Sequence, residues 1–117
     1  LREMIEEGQR TLAVDYNRAV EWTEVLYAGL DKVFERYDAI LTPATTGEAP
    51  AGLGSTGSPV FCTLWTLCGP PAVTLPLLRG SHGLPIGVQL VGPRGGDARL
   101  LRTANWLVRR LADADEG

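Results

Sequence analysis

The chain has 117 residues, 21% of them charged, with a formal net charge of -3 and a sequence pI near 5.1. This length suits one domain or part of one, and the mildly acidic balance gives no reason to expect a nucleic acid or an anionic membrane as partner. No apolar run reaches the length of a membrane span.

Charge is unevenly distributed along the chain. No Asp or Glu lies between Glu48 and Asp97, and only Arg79 and Arg94 carry positive charge there. The middle is therefore predicted to be mostly interior, with a charged helical segment on either side. This interior stretch is long for a chain of this size, which suggests that the chain is a piece of a larger sheet. Because Leu1 is not an initiator Met and the first residues look helical, we expect a longer parent protein.

The first third of the chain is predicted to be helical. Residues 1–9 suit a weakly amphipathic helix that ends near Gly8, and Thr11 is the expected cap of a second, long helix. In that helix, apolar residues recur every three or four positions, which indicates one covered face. They are Tyr16, Ala19, Val20, Thr23, Leu26, Tyr27, Leu30, Val33, Phe34 and Tyr37.

A short strand is expected over residues 38–41, followed by a loop over residues 44–57 that is rich in Gly, Pro, Ala and Thr. Ser58 as N-cap and Pro59 at the first helical position then predict a short apolar helix. Gly69 is expected to end this helix in the left-handed conformation, because two prolines follow it.

The last part of the chain is predicted to form a hairpin and a helix. Uncharged residues after Gly69 suit a strand covered on both faces, and the turn 79–83 joins this strand, over 73–77, to a strand over 86–91. Asp97 is the expected N-cap of the final helix. The predicted order is ααβαββα, an α/β fold. The final helix has an apolar stripe made of Leu100, Leu101, Ala104, Leu107, Val108 and Leu111. Its arginines are expected to face water: Arg99, Arg102, Arg109 and Arg110.

A glycine-rich motif, a histidine and two cysteines are weak candidates for function. Residues 52–57 read GLGSTG, but a dinucleotide site needs a strand directly before the motif and an acid about twenty residues after it, and neither is present. The single histidine, His82, invites a Ser-His-acid triad with Ser55, Ser58 or Ser81, but its place in a hairpin turn favours an exposed side chain. Cys62 and Cys68 lack zinc or redox spacing and are expected to be reduced, buried thiols; no metal site is expected.

Three ordered segments carry a family resemblance. Residues 37–43 read YDAILTP, residues 56–76 read TGSPVFCTLWTLCGPPAVTLP, and residues 84–93 read LPIGVQLVGP. Together with Ala49-Pro50, they resemble the C-terminal part of the amidase signature family, from about Gly8 to Leu111. The resemblance implies that residues 1–117 are the C-terminal portion of an amidase domain, with a mixed β-sheet covered by helices.

The resemblance also implies a catalytic mechanism whose residues are missing from this chain. Amidase signature enzymes use a Ser–cis-Ser–Lys triad in a Gly/Ser-rich segment, where the nucleophilic serine attacks an amide carbonyl and backbone N–H groups hold the oxyanion. That segment is absent here. Lys32 is the only lysine, and its place on the polar side of a helix without a neighbouring serine pair predicts a solvated side chain. No catalytic residue is therefore assigned within the chain, which alone should be inactive.

Thr56, Phe61 and Trp65 are the candidate substrate-binding residues. Phe61 and Trp65 are four positions apart and so are expected to share a helix face, which core packing explains more readily than a role in binding. The resemblance implies that this loop and helix approach the acyl pocket. In the amidotransferase branch an acid precedes the helix, whereas residues 57–59 read GSP, which favours a general amidase with a small or apolar acyl substrate.

The resemblance predicts a cytoplasmic amidase without metal or cofactor, whose partners are the upstream part of its domain and a small-molecule amide, with no nucleic acid and no membrane. A homodimer stays open. Two alternatives also remain. The first is the A subunit of an amidotransferase, which would work with tRNA and a second subunit. The second is a non-enzymatic module that binds a partner through its apolar middle.

Overall fold

The computed structural model describes residues 2–115 and confirms the α/β architecture and the order ααβαββα. None of the helices within that range is both long enough and apolar enough to cross a membrane. The elements are α1 (Arg2–Arg10), α2 (Ala13–Phe34), β1 (Ile40–Pro43), α3 (Thr63–Cys68), β2 (Ala72–Arg79), β3 (Pro85–Val91) and α4 (Asp97–Asp115).

The three strands form one sheet in the order β1-β3-β2, and both pairings are antiparallel. Val91 lies opposite Ile40 on one side and Ala72 on the other, so within the described part of the chain β1 and β2 each have one free edge. The predicted hairpin joins β2 to β3. The β2–β3 ladder is irregular between Leu75 and Leu78, a stretch that includes Pro76. A proline has no N–H for the ladder, which explains why this bulge lies on an edge strand.

One face of the sheet packs against α4. Leu90 of β3 meets Leu100 and Ala104 of α4, and all three are buried. Burial of a large apolar side chain contributes about 1.5–3 kcal/mol, so this cluster is the main source of stability within the chain. Half-buried apolar side chains surround it: Ala39, Val73, Leu75 and Leu107.

The opposite face of the sheet receives the segment around α3. Along β3, Gln89 and Val91 alternate with Leu90 and so point to this side. Gln89 is 5% exposed, while Val91 and Cys68 are fully buried. Helix α3 ends at Gly69 with φ 75° and ψ 15°, and the Gly69 N–H donates to the Trp65 carbonyl. The predicted left-handed cap is confirmed.

Several element boundaries differ from those predicted: β2 covers Ala72–Arg79 and not only residues 73–77, and α1 continues past Gly8 to Arg10. Strand β1 begins at Ile40 and not at residue 38, because its ladder with β3 begins where Ile40 meets Val91. Helix α3 begins at Thr63 and not at Pro59. The Pro59 carbonyl accepts the N–H groups of Cys62 and Thr63, which makes a separate turn before the helix.

The predicted helix caps are wrong at three positions. The Thr11 hydroxyl donates to the Glu7 carbonyl of α1, and Leu12 occupies the N-cap of α2. Ser58 Oγ accepts the Val60 N–H at 3.4 Å within the turn, so it does not cap α3. Asp97 is the first residue of α4, where its charge still suits the positive end of the helix dipole.

The chain covers less of its apolar surface than predicted. Strand β3 is covered on both faces, but β2 alternates between half-buried and exposed residues, so the expectation of two covered faces is wrong for β2 within this chain. In α2 only Phe34 is buried, and Tyr16, Val20 and Leu26 of the predicted stripe are exposed. The radius of gyration is 17.7 Å, against about 13 Å for a compact domain of this length.

We expect Leu90→Ala to lower the free energy of unfolding by about 2–5 kcal/mol, because it opens a cavity between β3 and α4. Leu41→Ala is the matched control: Leu41 is 59% exposed, and its truncation should change stability by no more than about 0.5 kcal/mol. Urea unfolding followed by circular dichroism measures both. Equal losses would contradict the assigned core.

Candidate functional site

A buried amide fixes the segment before α3 to the sheet. Gln89 Nε2 donates to the Phe61 carbonyl at 3.0 Å and to Thr42 Oγ1 at 3.3 Å. The half-buried Cys62 thiol lies 3.4 Å from the Ala44 carbonyl oxygen and 3.9 Å from Gln89 Oε1. Because a buried carbonyl without a partner is costly, the Gln89 amide holds the Phe61 backbone in place.

A cleft of about 250 Å³ opens beside this amide, between α3 and the start of β2. Trp65 forms part of its wall, and the Trp65 Nε1–H is buried without a hydrogen-bond partner among residues 2–115. The cleft combines an aromatic wall with the Gln89 amide and the Thr66 hydroxyl, which is the composition of many small-molecule sites. Its lining residues are Cys62, Trp65, Thr66, Pro70, Ala72 and Gln89.

The three candidate substrate-binding residues are only partly brought together. Trp65 lines the cleft, whereas Phe61 lies in the turn before α3, so the prediction that the two share a helix face is wrong; the Phe61 carbonyl accepts a hydrogen bond from Gln89. Both side chains are half-buried. Thr56 lies in the exposed loop and does not line the cleft; beside it, Ser55 Oγ accepts the Gly57 N–H at 3.1 Å.

Arg94 joins three elements near the end of α3. Its Nε–H donates to the Cys68 carbonyl at 2.7 Å, its Nη1–H donates to Glu24 Oε2 at 2.8 Å, and its guanidinium carbon lies 3.9 Å from the centre of the Tyr27 ring. The Arg94 N–H also donates to the Tyr27 hydroxyl at 2.7 Å. The hydrogen bond from Arg94 lowers the pKa of the Glu24 carboxyl, and the same bond raises the pKa of Arg94.

Local sequence patterns assign no role to Gln89 or Arg94. Gln89 stands out as the polar residue in the apolar run IGVQLV, and Arg94 as one of two cations in a stretch without acids. These signals mark residues with polar partners inside the fold, but they do not identify the partners. Arg99, predicted to face water, has a side chain that is 40% exposed, and it also donates from both Nε and Nη2 to Asp38 Oδ1 at 3.0 and 2.9 Å.

His82 is exposed, as predicted, and contacts Glu48 and Ser81, one of the three serines considered for a triad. Its Nδ1 lies 2.7 Å from Glu48 Oε2 and 3.3 Å from Ser81 Oγ, and its side chain is 84% exposed. A Ser-His-acid relay needs the serine and the acid on different ring nitrogens. Here both lie at Nδ1, and the Nδ1–H that donates to Glu48 cannot also take a proton from Ser81. The cluster therefore lacks the geometry of a triad.

The remaining candidate features also stay outside the cleft. Lys32 is exposed on α2, as predicted. The glycine-rich stretch 52–57 lies in an exposed loop, where Gly52 and Gly57 adopt positive φ. Across residues 2–115, no group of three His, Cys, Asp or Glu side chains converges in a way that could hold a metal ion.

Comparison with known proteins gives consistent matches. The family model described as Amidase matches residues 1–101. The Glutamyl-tRNA(Gln) amidotransferase A subunit of Halothermothrix orenii is 31% identical over 102 residues, covering 82% of this chain and 21% of the relative. The protein of the same name from Cereibacter sphaeroides is 37% identical over 102 residues, covering 79% of this chain and 21% of the relative.

Two solved structures share the fold. An amidase crystal structure superposes with a TM-score of 0.74 at 30% identity, covering 93% of this chain and 28% of that one. The Glutamyl-tRNA(Gln) amidotransferase A subunit from Thermotoga maritima gives a TM-score of 0.64 at 31% identity, covering 86% of this chain and 25% of that one. The chain thus spans about a fifth of the length of the curated relatives it matches.

The pKa of the Glu48 carboxyl is lowered from its usual 4.5, first because His82 donates a side-chain hydrogen bond to it and then because the backbone N–H groups of Leu84 and His82 do so. A lowered pKa means that Glu48 stabilises the fold above 4.5 and that this contribution is lost as the pH falls through the lowered value. We expect a ¹³C-NMR titration of the Glu48 carboxyl to give a pKa below 4.5. In His82→Ala the pKa should move back toward 4.5, and an identical titration in the two proteins would contradict the assignment.

Proposed function

Because the chain belongs to the Amidase family, we propose that it is the C-terminal part of an amidase that hydrolyses carboxylic amide bonds through an acyl-serine intermediate. The nucleophilic serine, the cis-serine and the lysine base would come from the part of the domain that precedes this segment. The nucleophile would form the acyl ester with loss of the amine, and water would then release the acid. The proposed setting is the cytoplasm, which suits the free thiols of Cys62 and Cys68, and the proposed mechanism needs no metal or cofactor.

The uncovered apolar surface of the sheet is the observation that carries this proposal. A trough of about 550 Å³ runs between the sheet and the end of α4, and among residues 2–115 no further strand pairs with the outer edge of β1 or β2. Exposed strand edges and contiguous apolar surface call for another element to cover them. The trough is lined by Leu41, Leu77, Leu78, Val88, Leu107, Val108, Leu111 and Ala112. The preceding part of an amidase domain is the proposed cover.

The proposed contribution of this chain to catalysis is a wall of the acyl pocket. Trp65 supplies an aromatic surface on the cleft, and Phe61 lies beside it on a backbone that Gln89 holds. Thr56 would contact the substrate from the loop. With Lys32 exposed on α2 and no paired serines, the chain alone is proposed to have no activity.

A second candidate function is that of an amidotransferase A subunit. It is favoured by the relatives named above, which carry that name. The absence of an acid in residues 57–59, directly before the turn that leads into α3, counts against recognition of a glutamine amide donor. Strongly salt-dependent tRNA binding would support this second function. A cooperative, monomeric melt of the chain would instead support a self-standing binding module.

Reconstitution tests the proposed function. The chain is mixed with an amidase signature domain that lacks its own C-terminal segment, and hydrolysis of small apolar amides is followed. We expect activity only in the mixture, and Trp65→Ala should lower kcat/KM by about tenfold because it removes a pocket contact. Trp22→Ala, which alters a 60% exposed tryptophan of α2, is the matched control and should have little effect.

Two results would contradict the proposal. Hydrolysis by the chain alone would show that the catalytic residues lie within it. A mixture that binds the chain and transfers glutamine-derived ammonia without hydrolysing simple amides would replace the amidase with the amidotransferase.

A further inference from the structure

We propose that Glu48 is a positioning residue that fastens the middle of the loop 44–57 to the turn between β2 and β3, and so sets where the outer part of this loop lies. The relevance of this loop to substrate rests on the proposed function, because Thr56 belongs to it. The fastening itself rests only on contacts within the chain.

The Glu48 carboxylate receives three N–H donors from one turn. The His82 N–H lies 3.0 Å from Oε1 and 3.2 Å from Oε2, and the Leu84 N–H lies 3.0 Å from Oε1. His82 Nδ1–H donates to Oε2 at 2.7 Å. Hydrogen bonds to an ionised acceptor are shorter and stronger than neutral ones, so this set is a specific anion cradle.

Gly80 leaves the space in which the carboxylate lies. A Cβ built on Gly80 would overlap Cδ, Cγ and Oε1 of Glu48. Gly80 is not among the glycines with positive φ, so its backbone would accept an alanine without strain. Glycine is therefore required at position 80 only because a side chain there would collide with Glu48. Without Glu48 in the cradle, alanine would fit equally well.

The contact differs from an ordinary surface ion pair because the Glu48 side chain is largely buried. The Glu48 side chain is only 11% exposed, although His82 is 84% exposed. Surface pairs between flexible side chains contribute little to stability. In this cluster two of the three donors are backbone groups in a turn closed by the Gly80 N–H, which donates to the Leu84 carbonyl at 2.9 Å. The cradle is thus preformed by the hairpin.

The loop then has two fixed points. Ala44, which is 8% exposed, donates its N–H to the Gly87 carbonyl at 2.9 Å, and Glu48 is held four residues later. Beyond Glu48, Pro50 approaches Gly57, while Leu53 is fully exposed. Releasing Glu48 would leave the outer loop attached only through Ala44 and the turn before α3.

Hydrogen exchange of the full chain, read by mass spectrometry on peptides from residues 49–57 and from the β2–β3 turn, tests the fastening. We expect Glu48→Gln to raise the exchange rate in both regions by roughly fivefold, because one carboxylate oxygen becomes a donor that faces the His82 N–H. Glu21→Gln, at an exposed position of α2, is the matched control and should change neither region. Unchanged exchange in Glu48→Gln would overturn the proposal.

A double-mutant cycle keeps the test independent of folding defects. Gly80→Ala should raise exchange as Glu48→Ala does, because it expels the carboxylate, and the double variant should exchange no faster than Glu48→Ala alone. Additive effects would show that Gly80 and Glu48 act separately and would overturn the cradle. Circular dichroism of the double variant checks that the sheet is retained.

In the reconstituted mixture Glu48→Gln should raise KM by severalfold while kcat changes less, since the loop shapes binding and supplies no reacting group. A fall in kcat with unchanged KM would overturn the positioning role. If the mixture shows no activity with the unaltered chain, the proposed function fails, whereas the exchange results decide the fastening on their own.

Discussion

The Arg94 guanidinium is the contact that joins helix α2 to the end of helix α3. It binds the last carbonyl of α3 and, from a distant part of the chain, the Glu24 carboxylate and the Tyr27 ring of α2. A lysine could not reproduce this, because only a planar guanidinium can stack on a ring while donating in two directions. Arg94 lies three residues after the end of β3, so its contacts link α2 and the end of α3 to the end of the sheet.

The main apolar core and the buried amide of Gln89 lie on opposite faces of the sheet. Strand β3 is covered on both faces: Leu90 faces α4, and Gln89 faces the segment before α3. The outer strands have neither a second neighbour nor a second covering layer among residues 2–115. An apolar trough on the α4 face of the sheet, with a buried amide and an aromatic cleft on the opposite face, is what the proposed function expects of a segment whose active site is completed by other parts of its domain, and it agrees with membership of the Amidase family.

Local sequence patterns predicted the element order, the β2–β3 hairpin and the left-handed cap at Gly69, because periodicity, turn residues and glycine placement are read over a few residues. The predicted start of α3 is wrong because Pro59 begins a turn whose carbonyl accepts both Cys62 and Thr63. The Glu48–His82 contact joins positions 34 apart, and Arg94 and Glu24 are 70 apart. Such contacts depend on the tertiary fold, and scattered single charges in a sequence cannot specify them.

The most direct test of the amidase proposal is the sequence of the coding DNA that precedes Leu1 in the same reading frame. The proposal predicts a lysine followed by a Gly/Ser-rich stretch with paired serines, which would supply the nucleophile and the base that this chain lacks. A start codon a few residues before Leu1, with no such stretch, would contradict the proposal and would favour a binding module built on the same fold.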